Sequence, residues 1–228
     1  MTNFFLISLI AYLIGSFPTA YLITKKLTGK DIRKIGSGNI GATNAFRALK
    51  EVGKKKLALI VFLMVLVVDM AKGAGSIFLA QKFFPENLIP ILILTSFFVV
   101  LGHNYSIFLK FTGGRGAACL MGVLVYLKPV SLLVWGLPVL FCAIPAQIIL
   151  EKMGKVEKIN WKKPFEVLMM VIGKQMAGRM AGLILAPIPL YFYNPQIFLL
   201  VAAGTILLLI KNIPRFEGYF REIHGKPR

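Results

Sequence analysis

Acidic side chains are scarce in this sequence: nine Asp and Glu stand against 27 Lys and Arg in 228 residues, a formal charge of +18. Cysteine and histidine occur only twice each. No HExxH and no Cys/His cluster with ligand spacing is present, so neither a metal centre nor a cofactor is expected. Cys119 and Cys142 lie in apolar surroundings and read as packing residues before a redox pair. The Ser, His and Asp residues form no triad that sequence can specify, and no covalent intermediate on the protein is expected. The basic excess invites a nucleic-acid reading, but the clusters are short and no nucleic-acid module accompanies them, so no nucleic-acid partner is expected. Charge is low for an ordinary soluble domain, 16% against a hydrophobic share of 57%, and the chain belongs in a bilayer.

What is abundant is apolar sequence of bilayer length. Runs fall at 4–23, 57–80, 88–101, 117–150, 180–193 and 196–210. The run from Ala117 to Leu150 is too long for one crossing, and Lys128 with Pro129 divides it, because proline disfavours helix continuation and lysine favours the interface. The expectation is an all-α helical bundle of about seven spans forming one domain over 1–228; five spans with re-entrant pieces would also fit. With no charged n-region and no small-residue cleavage site, the first run reads as a retained span. The connections 24–56, 110–116, 151–179 and 211–228 hold 24 of the 27 basic residues. That asymmetry places the N-terminus outside and the C-terminus in the cytoplasm. The long connection 151–179 reads either as an interfacial amphipathic helix or as a solvated loop.

Two glycine-rich stretches fall on the basic side. GSGNIGATNAFRALK, residues 36–50, has the form of an anion-binding turn followed by a helix N-terminus. Ser37, Asn39, Thr43 and Asn44 supply neutral hydrogen-bonding groups, and Arg47 shares a helical face with Asn44. A capped turn at the membrane edge is the alternative. The second stretch, GHNYSIFLKFTGGRGAAC at 102–119, sets Gly113, Gly114 and Gly116 around Arg115, with Lys110 nearby. His103 reads as a helix cap or hydrogen-bond partner, with a general base as the other option. Asp69 and Lys72 lie three apart inside a span, where charges are costly unless paired, and serve as a structural brace or as a substrate-facing pair. The absence of an internal repeat weakens a transporter reading.

SGNIGATNAFR, DMAKG, GHNYSIFLKFTGGRGAA and the terminal NIPR together resemble the bacterial acyl-phosphate:glycerol-3-phosphate acyltransferase family. The resemblance implies a polytopic inner-membrane enzyme, its active site facing the cytoplasm. It would move a fatty acyl group from acyl phosphate to glycerol 3-phosphate, giving lysophosphatidic acid and phosphate, with membrane lipid around it. It assigns catalytic work to Ser37, Arg47, Arg115 and Asn212. Substrate binding falls to Gly38, Asn39, Gly41, Thr43, Asn44, His103, Asn104, Gly113, Gly114 and Gly116. Acyl phosphate is already activated, so positioning and charge neutralisation can carry most of the catalysis. Where the family usually reads FKGGKGxAT this chain has FTGGRGAAC, and Leu208, Leu209 and Ile210 stand where Arg, His and Arg usually precede the Asn of the last motif. The residues also admit a binding protein for a phosphorylated lipid or metabolite that transfers nothing.

Overall fold

A computed structural model describes residues 2–85 and 88–225. Eleven α-helices are found among them: α1 Thr2–Ser16, α2 Thr19–Thr28, α3 Ala42–Glu51, α4 Lys55–Phe83, α5 Leu88–Asn104, α6 Ala117–Leu127, α7 Pro129–Lys152, α8 Pro164–Met169, α9 Ala177–Leu185, α10 Pro187–Tyr193 and α11 Pro195–Ile223. No strand occurs among the described residues; one isolated bridge joins Ser106 to Thr112. The expected all-α class is therefore the observed one.

The predicted runs fall on helix except that 4–23 breaks at Phe17–Pro18 and 180–193 at Ala186, and α6 gives way to α7 at Lys128 and Pro129 as the sequence requires. Among the described residues four helical stretches are long and apolar enough to cross a bilayer: Asn3–Thr28, Lys55–Phe83, Pro129–Lys152 and Pro195–Ile223. A fifth is available if Pro164–Lys174 and Ala177–Tyr193, bent by 77°, count as one broken span, while α5 and α6 are shorter apolar helices. Leu59, Ile60, Leu63, Met64 and Val67 of α4 point outward with 43–62% exposure. A soluble helix would bury such a face, whereas lipid solvates it.

By its internal contacts the chain divides into two compact units, Met1–Pro129 with Leu199–Leu208, and Val130–Phe198 with Leu209–Arg228. In the first unit α1 crosses α5 and α4 crosses α6 with glycine on both partners. A Cβ on Gly15 would stand 2.1 Å from the Val99 carbonyl oxygen, and one on Gly102 2.1 Å from that of Tyr12. Gly73 meets the Cys119 carbonyl oxygen and Gly122 that of Met70, each at 1.9 Å from the same construction. Bilayers supply little hydrophobic drive between helices, so close backbone approach through small residues takes its place. Beside these crossings α3 packs its Ala45, Ala48 and Leu49 inward, and Ala45 and Leu49 join Ile32, Ile40, Ala58, Val61 and Leu109 in one apolar cluster. The charged end of that amphipathic helix stays outside.

The second unit is built differently. Met170 and Val171 pack on Ala143 of α7, with Ile159 and Val167 against them. Around this small core the connection 151–179 is tied by side chains. Gln147 Nε2 donates to Glu151 Oε1 at 2.9 Å and to the Glu157 carbonyl at 3.1 Å, and Glu151 also accepts from the Ile159 amide at 3.1 Å. Lys174 pairs with Glu157 at 2.9 Å. The connection is thus neither one amphipathic helix nor a loose loop: Pro164 opens the short α8, and five residues of π-helix, Met170–Lys174, follow it.

Candidate active site

The first glycine stretch is shaped by Asn44. Its amide nitrogen donates to the carbonyls of Ile32 and Ile35 at 3.1 and 2.9 Å, and its Oδ1 accepts from the Ser37 amide at 3.2 Å. Asn44 is 1% exposed, and these three bonds hold the loop. Gly36 has a φ of +51°, and a Cβ there would lie 2.6 Å from Asn44 Oδ1. Gly38, at φ +66°, reaches the left-handed region in the same turn. Gly41 needs no such freedom: its φ of −157° is extended backbone at the start of α3. Ser37, Asn39 and Thr43 stay half-buried. Arg47 runs its stem past Gly36, where a Cβ would stand 3.8 Å from Arg47 Cδ. Burial pushes the Arg47 guanidinium below its ordinary pKa, a desolvation cost that an anion beside it offsets.

The second stretch folds against the end of α5. The Gly114 amide donates to the His103 carbonyl at 2.8 Å, and a Cβ on Gly114 would meet His103 Nε2 at 2.0 Å and the Ile40 carbonyl at 2.8 Å. Gly114 therefore brings the two glycine loops into contact, which no spacing in the sequence states. A Cβ on Gly113 would stand 2.3 Å from the His103 carbonyl oxygen and 2.7 Å from that of Asn104. Asn104 is fully buried, donates to the Leu207 carbonyl at 3.3 Å, and sets its Oδ1 against Gly116, which opens α6 at φ +76°. Like Asn44 it bonds backbone through its amide nitrogen, while its Oδ1 has no hydrogen-bond partner among the described residues. Thr112, where the family carries lysine, turns its hydroxyl onto the Leu109 carbonyl at 2.5 Å. Lys110 and Phe111 take φ of +55° and +58° in that turn, a strained conformation for residues with side chains.

A pocket opens between these elements, lined by Ser16, Thr19, Ile40, Asp69, Lys72 and His103 together with Gly113 and Gly114. Lys72 Nζ donates to Asp69 Oδ1 at 2.6 Å and to the Phe17 carbonyl at 2.6 Å. The pair ties α4 to the break between α1 and α2 and also lines the pocket, so both readings of it stand. His103 Nδ1 stands 4.0 Å from Asp69 Oδ1, beyond a hydrogen bond. Sequence reasoning missed Ser16 and Thr19; the signal was present, since SFPT puts two hydroxyls and a helix-breaking proline at the end of an apolar run. Asn212 lies in the second unit, 97% buried, where its Oδ1 accepts from Arg179 at 3.4 Å. Arg179, also unforeseen, donates as well to the Ile172 carbonyl and Met176 Sδ, and Arg215 donates to the Gly173 carbonyl. Among the described residues no group of His, Cys, Asp and Glu could hold a metal ion.

The family model described as Glycerol-3-phosphate acyltransferase matches residues 5–153. Glycerol-3-phosphate acyltransferase 1 of Dehalococcoides mccartyi is 43% identical over 130 residues, covering 57% of this chain and 56% of that protein. The glycerol-3-phosphate acyltransferase of Helicobacter pylori is 42% identical over 156 residues, covering 67% of this chain and 63% of its own. The chain thus spans less than two thirds of the length of these relatives. Among solved structures, PlsY, described as an integral membrane glycerol 3-phosphate acyltransferase in its glycerol 3-phosphate form, aligns with a TM-score of 0.67 at 25% identity, covering 99% of this chain and 94% of that one. With two glycine loops in contact and a family match over more than half its length, the chain belongs to the glycerol-3-phosphate acyltransferase family.

Proposed function

We propose that this protein transfers a fatty acyl group from acyl phosphate to glycerol 3-phosphate, releasing lysophosphatidic acid and phosphate at the start of phospholipid synthesis. The observation that carries the reading is the approach of the SGNIGATNAFR loop to the GGRG loop at Ile40 and Gly114, within a chain that shares its family with the glycerol-3-phosphate acyltransferases. Both substrates carry phosphate. A half-buried Arg47 whose stem passes Gly36, with Arg115 on the neighbouring loop, gives two cations to receive it. The carbonyl to be attacked is already activated, so the chain's task is to fix two phosphates and present one hydroxyl.

In this reading Ser37, Arg47 and Arg115 act on the reacting groups, Gly38, Asn39, Gly41, Thr43, His103, Gly113, Gly114 and Gly116 shape the substrate site, and Asn44 and Asn104 hold its loops. Asn212 is kept in the proposed set on the family resemblance alone. Residues 1–228 are taken as one acyltransferase domain of seven spans, N-terminus outside and C-terminus cytoplasmic, in a bacterial inner membrane; the basic-residue bias supports that orientation. Purified protein given acyl phosphate and glycerol 3-phosphate is expected to release lysophosphatidic acid, with acyl-CoA and acyl-carrier-protein thioesters unable to replace the donor. Product from a thioester in place of acyl phosphate would overturn the donor, and no product from any donor would overturn the activity.

A further inference from the structure

Ser16 and Thr19 flank the Phe17–Pro18 break that ends α1 and opens α2. Both are buried, at 1% and 6% exposure, both line the pocket described above, and neither hydroxyl has a hydrogen-bond partner among the described residues. A buried hydroxyl left unpaired is costly, and two in one pocket wall point to a ligand that pairs them. The rest of the wall states the ligand's charge. Lys72 and Asp69 neutralise one another at 2.6 Å, and Lys72 is further engaged by the Phe17 carbonyl. From α5, His103 stands 4.0 Å from the same Asp69 oxygen. Ser106, the other hydroxyl in the wall, donates to the Ser16 carbonyl at 2.5 Å. A wall whose fixed charges cancel gives little to a phosphate dianion and suits an uncharged, hydroxylated group. Ile40, which sits in the same wall, belongs to the loop that carries Ser37 and leads to Arg47.

Resting on the proposed acceptor, we infer that Ser16 and Thr19 are specificity residues that hydrogen-bond the glycerol hydroxyls of glycerol 3-phosphate, while the phosphate remains with the charged loops. The diol end enters the neutral pocket, and its secondary hydroxyl exchanges hydrogen bonds with Ser16 Oγ and Thr19 Oγ1. That contact decides which hydroxyl is presented to the acyl donor. A site built to pair a substrate hydroxyl rejects the analogue that lacks it, because its own buried groups are then left unpaired.

The test compares glycerol 3-phosphate with 1,3-propanediol monophosphate, which keeps the primary hydroxyl and the phosphate but lacks the secondary hydroxyl. The wild-type protein is expected to prefer glycerol 3-phosphate by about 10- to 100-fold in kcat/KM. In Ser16→Ala, Thr19→Val and the double variant that ratio falls stepwise, to within about threefold in the double variant, as expected when a hydrogen bond has lost both partners. The ratio does not depend on how much of each variant is folded, so a merely structural role leaves it unmoved. Should the double variant turn over neither acceptor, the same ratio is read from the binding of the two phosphates by titration. A ratio unchanged from wild type, or a wild type indifferent to the secondary hydroxyl, overturns the inference alone. No turnover of glycerol 3-phosphate by the wild-type protein overturns the proposed function itself.

Discussion

In the first unit α4 and α6 cross with glycine on both partners, Gly73 and Gly122. In the second, α9 brings Gly178 and Gly182 against the backbone of Cys142 and Val139 of α7, but α7 sets no glycine there in return and carries Pro138 and Pro145 inside it. Reciprocal backbone contact leaves a crossing almost no freedom to slide, and Asp69 and Lys72 of α4 are held there beside His103 of α5. The second unit takes its geometry from Gln147, Glu151, Glu157 and Lys174, long side chains that accommodate change. It also contains Leu209 and Ile210, two of the three places where the last motif departs from the family pattern. The first unit departs from the family pattern too, at Thr112, Arg115, Cys119 and Leu208, so the contrast between the units lies in how their helices are packed.

The largest test of that contrast sets Arg47 against Glu157. Arg47→Ala is expected to lower kcat/KM by about 10²- to 10³-fold, the usual loss when one preorganised charge donor is removed. Its thermal midpoint in detergent should stay near wild type, because Arg47 lies on α3 with the neighbouring Ala45, Ala48 and Leu49 supplying the buried contacts. Glu157→Gln removes only an exposed ion pair and should leave kcat/KM within about twofold. Equal losses in the two variants would erase the functional difference between the units.

Next in size is the crossing itself. Gly73→Ala places a methyl 1.9 Å from the Cys119 carbonyl oxygen, where backbone would have to move, at a cost of about 1–3 kcal/mol. Two residues on, Gly75 has nothing within 4 Å of its Cβ position, and Gly75→Ala in the same helix should gain about 0.5–1 kcal/mol. Thermal unfolding of the solubilised protein should move in opposite directions for the pair. A fall in both would mean that helix propensity, not the crossing, sets the response.

The helices and the α6–α7 break were legible because apolar run length and proline act locally. So was the conformation of GSGN, since Gly36 and Gly38 adopt the positive φ that glycine permits. The role of Asn44 was not legible: a polar side chain in an anion-like loop reads the same whether it faces ligand or backbone, and only the bonds to Ile32, Ile35 and Ser37 decide. The pocket was hidden for a related reason. Ser16 and Asp69 are 53 residues apart, and it is the packing of α5 on both α1 and α4 that brings their elements together. The span count stayed ambiguous because α5 and α6, at 17 and 11 residues, fall short of a full crossing.

A smaller effect probes the side-chain ties of the second unit. Glu151→Gln keeps the shape but loses charge at the acceptor of the Ile159 amide and the Trp161 indole, a loss of about 1 kcal/mol. Amide hydrogen exchange at Ile159 should quicken roughly fivefold, the local counterpart of that energy, while the amides of α4 keep their protection. Quickening in both places would show that the units do not open independently.

The smallest effect lies in the first unit's exposed edge. Asp31 accepts from the Arg33 amide at 2.9 Å and pairs with its guanidinium at 2.6 Å, at the start of the turn leading to Ser37. The Arg33 side chain lowers the Asp31 pKa from 3.8 to about 2, against a partial opposing push from burial. A carboxylate with a depressed folded pKa stabilises above its unfolded value and loses that contribution as pH falls through the folded one. The window is therefore about pH 4 down to 2. Because Asp31 is 21% and Arg33 35% exposed, solvent screening limits the pair to a few tenths of a kcal/mol. Wild type and Asp31→Asn, whose side-chain oxygen can still accept from the Arg33 amide, should differ by that amount in thermal unfolding at pH 5 and converge near pH 2. Glu157 in the second unit has its pKa lowered in the same direction by Lys174, but with its side chain 84% exposed the corresponding Glu157→Gln difference should be smaller still. A larger pH response from Glu157 than from Asp31 would reverse the order of rigidity between the two units.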